Sequence, residues 1–224
     1  MKIKSIIIGL LVLCCHNIMA QDLKMGFHVG GNLSGYTGGN QYTIYDKSGK
    51  VGYEVGADIQ YLLKNKFSLA SGINLLQTGG KFSVMSGYAG STGGSQTEFP
   101  AVNTNSLSLE IPLKLGYDIL LSDNFVLTPA VGLYGRYALV SLKDKVSITG
   151  DKGNHDWDCY KDFNKDMHHI DAMKKFEYGV VLGVGAKFAN HYVLSLNYHR
   201  GLNSVSSQYD LKKSDVSCSI GYIW

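Results

Sequence analysis

From about residue 24 to the C-terminus, apolar and polar side chains alternate with a period of two, the mark of strands with two unlike faces. The clearest run is 107–119. Leu107, Leu109, Ile111, Leu113, Leu115, Tyr117 and Ile119 point one way, and Ser108, Glu110, Pro112, Lys114, Gly116 and Asp118 point the other. Such a run is more than twice the usual strand length of about 5–6 residues. The same alternation recurs over 24–33, 51–61, 67–75, 127–139, 176–188, 192–199 and 216–224. That predicts eight strands, an even number.

The connections predict how these strands close. Short links at 64–66, 122–124 and 189–191 alternate with long ones at 35–50, 86–105, 143–174 and 203–213. Short turns on one rim and long loops on the other are the pattern of an outer-membrane barrel. Many apolar faces end in Tyr, Phe or Trp, as interfacial aromatic girdles require. The opposite faces are rich in Gly, Ser, Asn and charged residues, which suits the crowded lumen of eight strands. A soluble lipocalin-like barrel would be apolar inside and polar outside, the reverse of this arrangement. The predicted fold is therefore all-β: an eight-stranded antiparallel up-and-down transmembrane β-barrel with short periplasmic turns and long extracellular loops.

Composition narrows the class further. Only 17% of the 224 residues are charged, with 27 Gly, 15 Tyr and 3 Pro, which excludes disordered and coiled-coil chains. Residues 1–20 have the layout of a cleaved signal peptide: Lys2 and Lys4, an apolar stretch over 6–15, and Ala20 before Gln21. Ile18 at the −3 position fits that cut site imperfectly. The barrel domain is then 21–224, and beyond residue 21 no apolar run is long enough for a transmembrane helix. The formal net charge of +3 loses two lysines with the signal, so nucleic acid is not an expected partner. Cys14 and Cys15 also leave. Cys159 and Cys218 remain, in contexts that suggest two unpaired thiols, and no Cys/His spacing fits a zinc site.

The stretch Leu107-Ser-Leu-Glu-Ile-Pro-Leu-Lys-Leu-Gly-Tyr117 resembles the LEIPL strand of the small outer-membrane β-barrel proteins of Bacteroidetes, the PorT-like group. FSLASGINLLQTGGKF over 67–82 and LSLNYHRGLNSV over 194–205 are similar to the matching strands of that family. The resemblance covers essentially the whole mature chain. It implies the barrel fold and export to the cell outer membrane. One branch of the family takes part in type IX secretion, so the resemblance also implies a secretion accessory as one possible role.

Seven charged residues fall on the polar face: Glu54, Asp58, Glu110, Lys114, Arg136, Glu177 and Lys187. Charges inside a narrow barrel are costly unless paired. A salt-bridged plug is therefore expected, with a charge-lined conducting path as the alternative. Glu110 and Lys114 share a face but stand about 13 Å apart along the strand, so each needs partners on neighbouring strands; Arg136 is the natural one for Glu110. Loop 143–174 is the most charged segment, and its Phe163, Met167, Ile170 and Lys174 recur at a spacing that fits a short amphipathic helix over 160–173. His155, Asp158 and His168 could be imagined around a metal, but their spacing matches no standard site. His199 could be weighed with Asp46 or Asp158 as a catalytic pair, yet no catalytic motif supports it. The reading is a non-enzymatic monomer without metal or cofactor. Its expected partners are outer-membrane lipid and either a surface ligand of the long loops or a secretion partner at the short rim.

Overall fold

The computed structural model describes residues 23–39, 44–84, 101–142, 144–147, 154–165 and 168–224; the expected signal peptide lies outside them. Thirteen strands are present among these residues: β1 (Leu23–Gly38), β2 (Ile44–Leu62), β3 (Phe67–Val84), β4 (Ala101–Tyr117), β5 (Ile119–Ser122), β6 (Phe125–Ser141), β7 (Asp144–Ser147), β8 (Asn154–Trp157), β9 (Phe163–Lys165), β10 (His168–Ile170), β11 (Phe176–Phe188), β12 (Tyr192–Gly201) and β13 (Leu211–Ile223). The eight long ones form one antiparallel ring. Consecutive long strands pair with each other, β4 pairs with β6, and β13 returns to β1 in the register Phe27↔Tyr222. Every backbone group in the wall can then be satisfied without an open edge, which is what a hydrocarbon surround demands.

The outer face is made by the apolar half of each alternation. Phe27, Leu113, Leu133 and Ile220 are all more than half exposed. So many exposed large apolar side chains in a continuous band are explicable only if lipid is the solvent. At the short-turn end the band finishes in aromatic pairs: Phe67–Tyr117 at 5.1 Å, Phe125–Phe188 at 4.8 Å and Tyr192–Tyr222 at 5.5 Å between ring centroids. The turn between β11 and β12 is tight because Ala189 and Asn190 take φ of 47° and 64°. Two successive left-handed residues match the twist of the strands they join.

Four features differ from the sequence reading. The run 107–119 is broken at Asp118, whose backbone N–H donates to the Lys66 carbonyl at 2.7 Å, and β5 carries on the pairing with β6 beyond it. Several strands run into the expected long loops: β1 reaches Gly38, β2 starts at Ile44 and β13 at Leu211. The stretch 160–173 contains the hairpin β9–β10 in place of a helix, with Phe163 opposite Ile170. Both residues are buried against Trp157 and Met173, and that shared core, more than local periodicity, decides the conformation. Finally, the inner face is polar only in part. Toward the long-loop end Tyr36, Phe82, Val102 and Leu211 point inward and are buried.

Candidate functional site

The lumen is crossed by a charge cluster centred on Arg136. This side chain leaves the inner face of β6 and is 2% exposed. Its Nε and Nη2 donate to Glu110 Oε2 on β4 at 3.0 and 2.5 Å. Its Nη1 donates to Asp215 Oδ1 on β13 at 2.8 Å and stands 3.5 Å from Glu177 Oε1 on β11. One guanidinium thus ties four staves of the barrel. Register makes this possible: Arg136 sits opposite Glu110 on one side and Glu177 on the other.

Three carboxylates face one permanent cation, so the rest of their charge must be met by other donors. Tyr134 OH donates to Glu177 Oε1 at 2.6 Å, and Asn74 Nδ2 to Glu110 Oε1 at 3.2 Å. His199 completes the ring. Its Nδ1 lies 2.8 Å from Asp215 Oδ2 and its Nε2 3.5 Å from Glu110 Oε1. The Tyr134 ring packs edge-on against the His199 ring at 5.1 Å and under the Arg136 guanidinium at 5.0 Å. Gly179 faces Tyr134 across the strand pair; a Cβ there would come within 2.7 Å of the tyrosine ring.

Toward the short-turn end a cavity of about 140 Å³ runs from Glu110 and His199 down to Lys187 and Ile223. His28 Nδ1 and Asp58 Oδ2 form a second pair there at 2.5 Å. Gly56 makes room for it, since a Cβ at that position would lie 2.5 Å from the His28 ring. Glu54, Asn74, Lys114 and Lys187 also line this chamber.

Toward the long-loop end the lumen is covered by apolar side chains. Tyr36, Phe82, Val102 and Leu211 from the wall pack with Val146, Trp157, Cys159, Phe163, Ile170, Met173 and Val205 from segments beyond it. Tyr36 OH shares a 2.5 Å hydrogen bond with Thr104 Oγ1, and its ring meets Phe82 edge-on at 5.3 Å. Asp144 pins the cap to the wall. Its carboxylate accepts from the Asn105 backbone N–H, the Ser141 hydroxyl and, at 2.9 Å, the Cys159 backbone N–H. Burial and the neighbouring Asp144 carboxylate push the Cys159 thiol well above the usual thiol range. Both effects disfavour the thiolate, the reactive form. Cys159 in folded protein should therefore resist a membrane-impermeant maleimide at pH 8 and react fully once unfolded; mass spectrometry of the labelled chain checks this.

Of the seven lumen residues singled out from the sequence, Glu110, Arg136 and Glu177 meet in one cluster. Asp58 pairs with His28 instead. Glu54, Lys114 and Lys187 line the chamber without an ion pair among the described residues. The carboxylate partners of His199 are Asp215 and Glu110, and not Asp46 or Asp158. Asp158 serves its own loop, accepting from the Tyr160 backbone N–H at 3.1 Å and pairing with Lys161 at 3.5 Å. The side chain of His168, one of the three imagined metal ligands, lies outside the described residues, as does Met167. Sequence reasoning missed Asp215, Tyr134, Asn74 and His28 as members of the site. Extending the alternation of Ser217 and Ser219 by one more step would have placed Asp215 inward.

Among solved structures the chain is similar to Ail, the attachment invasion locus protein of Yersinia pestis, with 12% identity over 91% of this chain and 99% of that one and a TM-score of 0.41. It is also similar to the outer membrane protein OprG of Pseudomonas aeruginosa, at 10% identity over 90% and 95% of the two chains with a TM-score of 0.43. The outer membrane protease OmpT of Escherichia coli matches at 9% identity over 90% and 96% with a TM-score of 0.48. No curated protein sequence matches the chain. The closed ring of strands, its apolar exterior and its charged interior agree with the match of residues 19–207 to the outer membrane protein beta-barrel domain, and the chain belongs to that family, a protein of the cell outer membrane.

Proposed function

We propose that this is a non-enzymatic, monomeric outer-membrane barrel with a sealed lumen, whose long extracellular loops bind a partner at the cell surface. The observation that carries this reading is the double obstruction inside the wall. The Arg136 cluster ties β4, β6, β11 and β13 across the lumen, and the apolar cap made by Val146, Trp157, Phe163, Ile170 and Met173 fills the mouth above it. A wall filled in this way is a rigid pedestal, and what remains variable is the surface it holds up. The Arg136 cluster and its chamber are better suited to rigidity than to chemistry. Its strongest nucleophile candidates are engaged carboxylates, and His199 is held between two of them.

A second reading has its own observation. Leu120 and Leu121, on the β5–β6 hairpin at the short rim, are each nearly 60% exposed, and Lys64 and Lys66 are exposed on the neighbouring turn. That rim would suit a periplasmic protein, as the PorT-like secretion branch of the Bacteroidetes barrels implies. Lysine-reactive cross-linking in native membranes separates the two. The surface-binding reading expects partners joined through Lys145 and Lys161, and partners joined only through Lys64 and Lys66 would overturn it in favour of the secretion reading.

A further inference from the structure

A second charged group sits on the outer wall, at the long-loop end of β12, β13 and β1. Thr37 and Lys212 are register partners on β1 and β13, and both face outward. Arg200, outward on β12, reaches across β13, and its Nη1 donates to Thr37 Oγ1 at 2.6 Å. Thr37 Oγ1 in turn donates to the Lys212 carbonyl at 3.3 Å. The outward positions of these three strands hold no Asp or Glu. Neither Arg200 nor Lys212 has an ion pair among the described residues, and one hydroxyl leaves most of the guanidinium fork unused.

Height on the wall gives these cations a meaning. Thr37 lies ten residues beyond Phe27 on the same strand, and Phe27 is the register partner of the girdle residue Tyr222; at a rise of ~3.4 Å and a tilt of ~40° that is about 26 Å along the membrane normal, against an apolar band about 25 Å tall. Arg200 and Lys212 therefore stand at the headgroup level of the outer leaflet. Directly below them Leu33, Tyr198 and Val216 are exposed to lipid. The strip offers apolar contact to acyl chains and a two-cation clamp to an anion at their head. A phosphate fits that clamp, because it can accept the planar Arg fork and the Lys ammonium on different oxygens.

We propose that Arg200, Lys212 and Thr37 form an outer-wall binding site for the phosphate of an outer-leaflet glycolipid. The test uses the full mature chain folded in detergent micelles, titrated with diphosphoryl lipid A and followed by native mass spectrometry. Wild type should bind one lipid, and Arg200→Gln/Lys212→Gln should bind it roughly tenfold or more weakly. Lys64→Gln/Lys66→Gln, on the opposite rim, should bind as wild type does. Dephosphorylated lipid A should bind wild type as weakly as the intact lipid binds the first double variant. Comparing the two lipids on wild type alone needs no variant to fold. Inorganic phosphate alone should not displace the lipid. Equal binding of the two lipids by wild type, equal binding by wild type and Arg200→Gln/Lys212→Gln, or displacement by inorganic phosphate would each overturn the proposal.

Discussion

Replacing Arg136 with Met should destabilise the folded barrel by about 3–5 kcal/mol, the range for removing one partner of a buried charged cluster. Glu110, Asp215 and Glu177 would remain inside with no permanent cation, and all three are at most 3% exposed. Met keeps most of the side-chain volume, so the loss reports charge more than a cavity. Urea unfolding in lipid vesicles measures it. Glu110→Gln should cost less, because Arg136 keeps Asp215 and Glu177 as partners. The double variant should lose less than the sum of the two single losses, since the residues touch. An Arg136→Met protein within about 0.5 kcal/mol of wild type would mean that the cluster is hydrated and carries no structural weight.

The outer face yields an effect of similar size by a different mechanism. Leu113 is 52% exposed on β4 and pairs with Leu133, which is 60% exposed. It lies four residues above Tyr117 of the girdle, about 10 Å along the normal at the usual rise and tilt, and so near the middle of the hydrocarbon. Leu113→Arg should cost roughly 2–4 kcal/mol there, and the cost should fall in thinner bilayers as the side chain reaches the interface. Ser108→Arg is the contrasting case. Ser108 is 1% exposed and inward, so its replacement meets crowding and should destabilise independently of lipid thickness. Urea midpoints in short- and long-chain lipids distinguish the two. A Leu113→Arg penalty that ignores thickness would mean that the faces are assigned wrongly.

Much of the wall could be read before any coordinates because lipid enforces period two wherever it touches the strand. Leu107 to Tyr117 shows this: each outward side chain had to be apolar, and each inward one small or charged. The same reasoning fails where lipid ends. On β13 the outward residues above Val216 are Ser214 and Lys212, so the alternation fades although the strand continues. Asp215 therefore fell just outside the strand read over 216–224. The inward half of the Arg136 cluster was legible because Glu110, Arg136 and Glu177 sit on strongly patterned strands. Their meeting across the lumen depends on register, which bulges such as that at Leu107/Ser108 adjust. The cap was not legible. Phe163 and Ile170 are seven residues apart, two turns of a helix, but a seven-residue spacing equally places them opposite each other across a hairpin. Only their burial in one cluster with Tyr36 and Phe82, far away in sequence, chooses between these, and no local pattern contains it.

A lumen closed by the Arg136 cluster in the wall and by the apolar cap at the mouth should carry no current. Single-channel recording of the purified wild-type chain in planar bilayers tests it most directly. The expected conductance is indistinguishable from that of the bare membrane, with the protein verified as inserted by its heat-modifiable gel mobility. Steady ion conductance with a selectivity that Glu110→Gln alters would contradict it and make the charged lumen a conducting path.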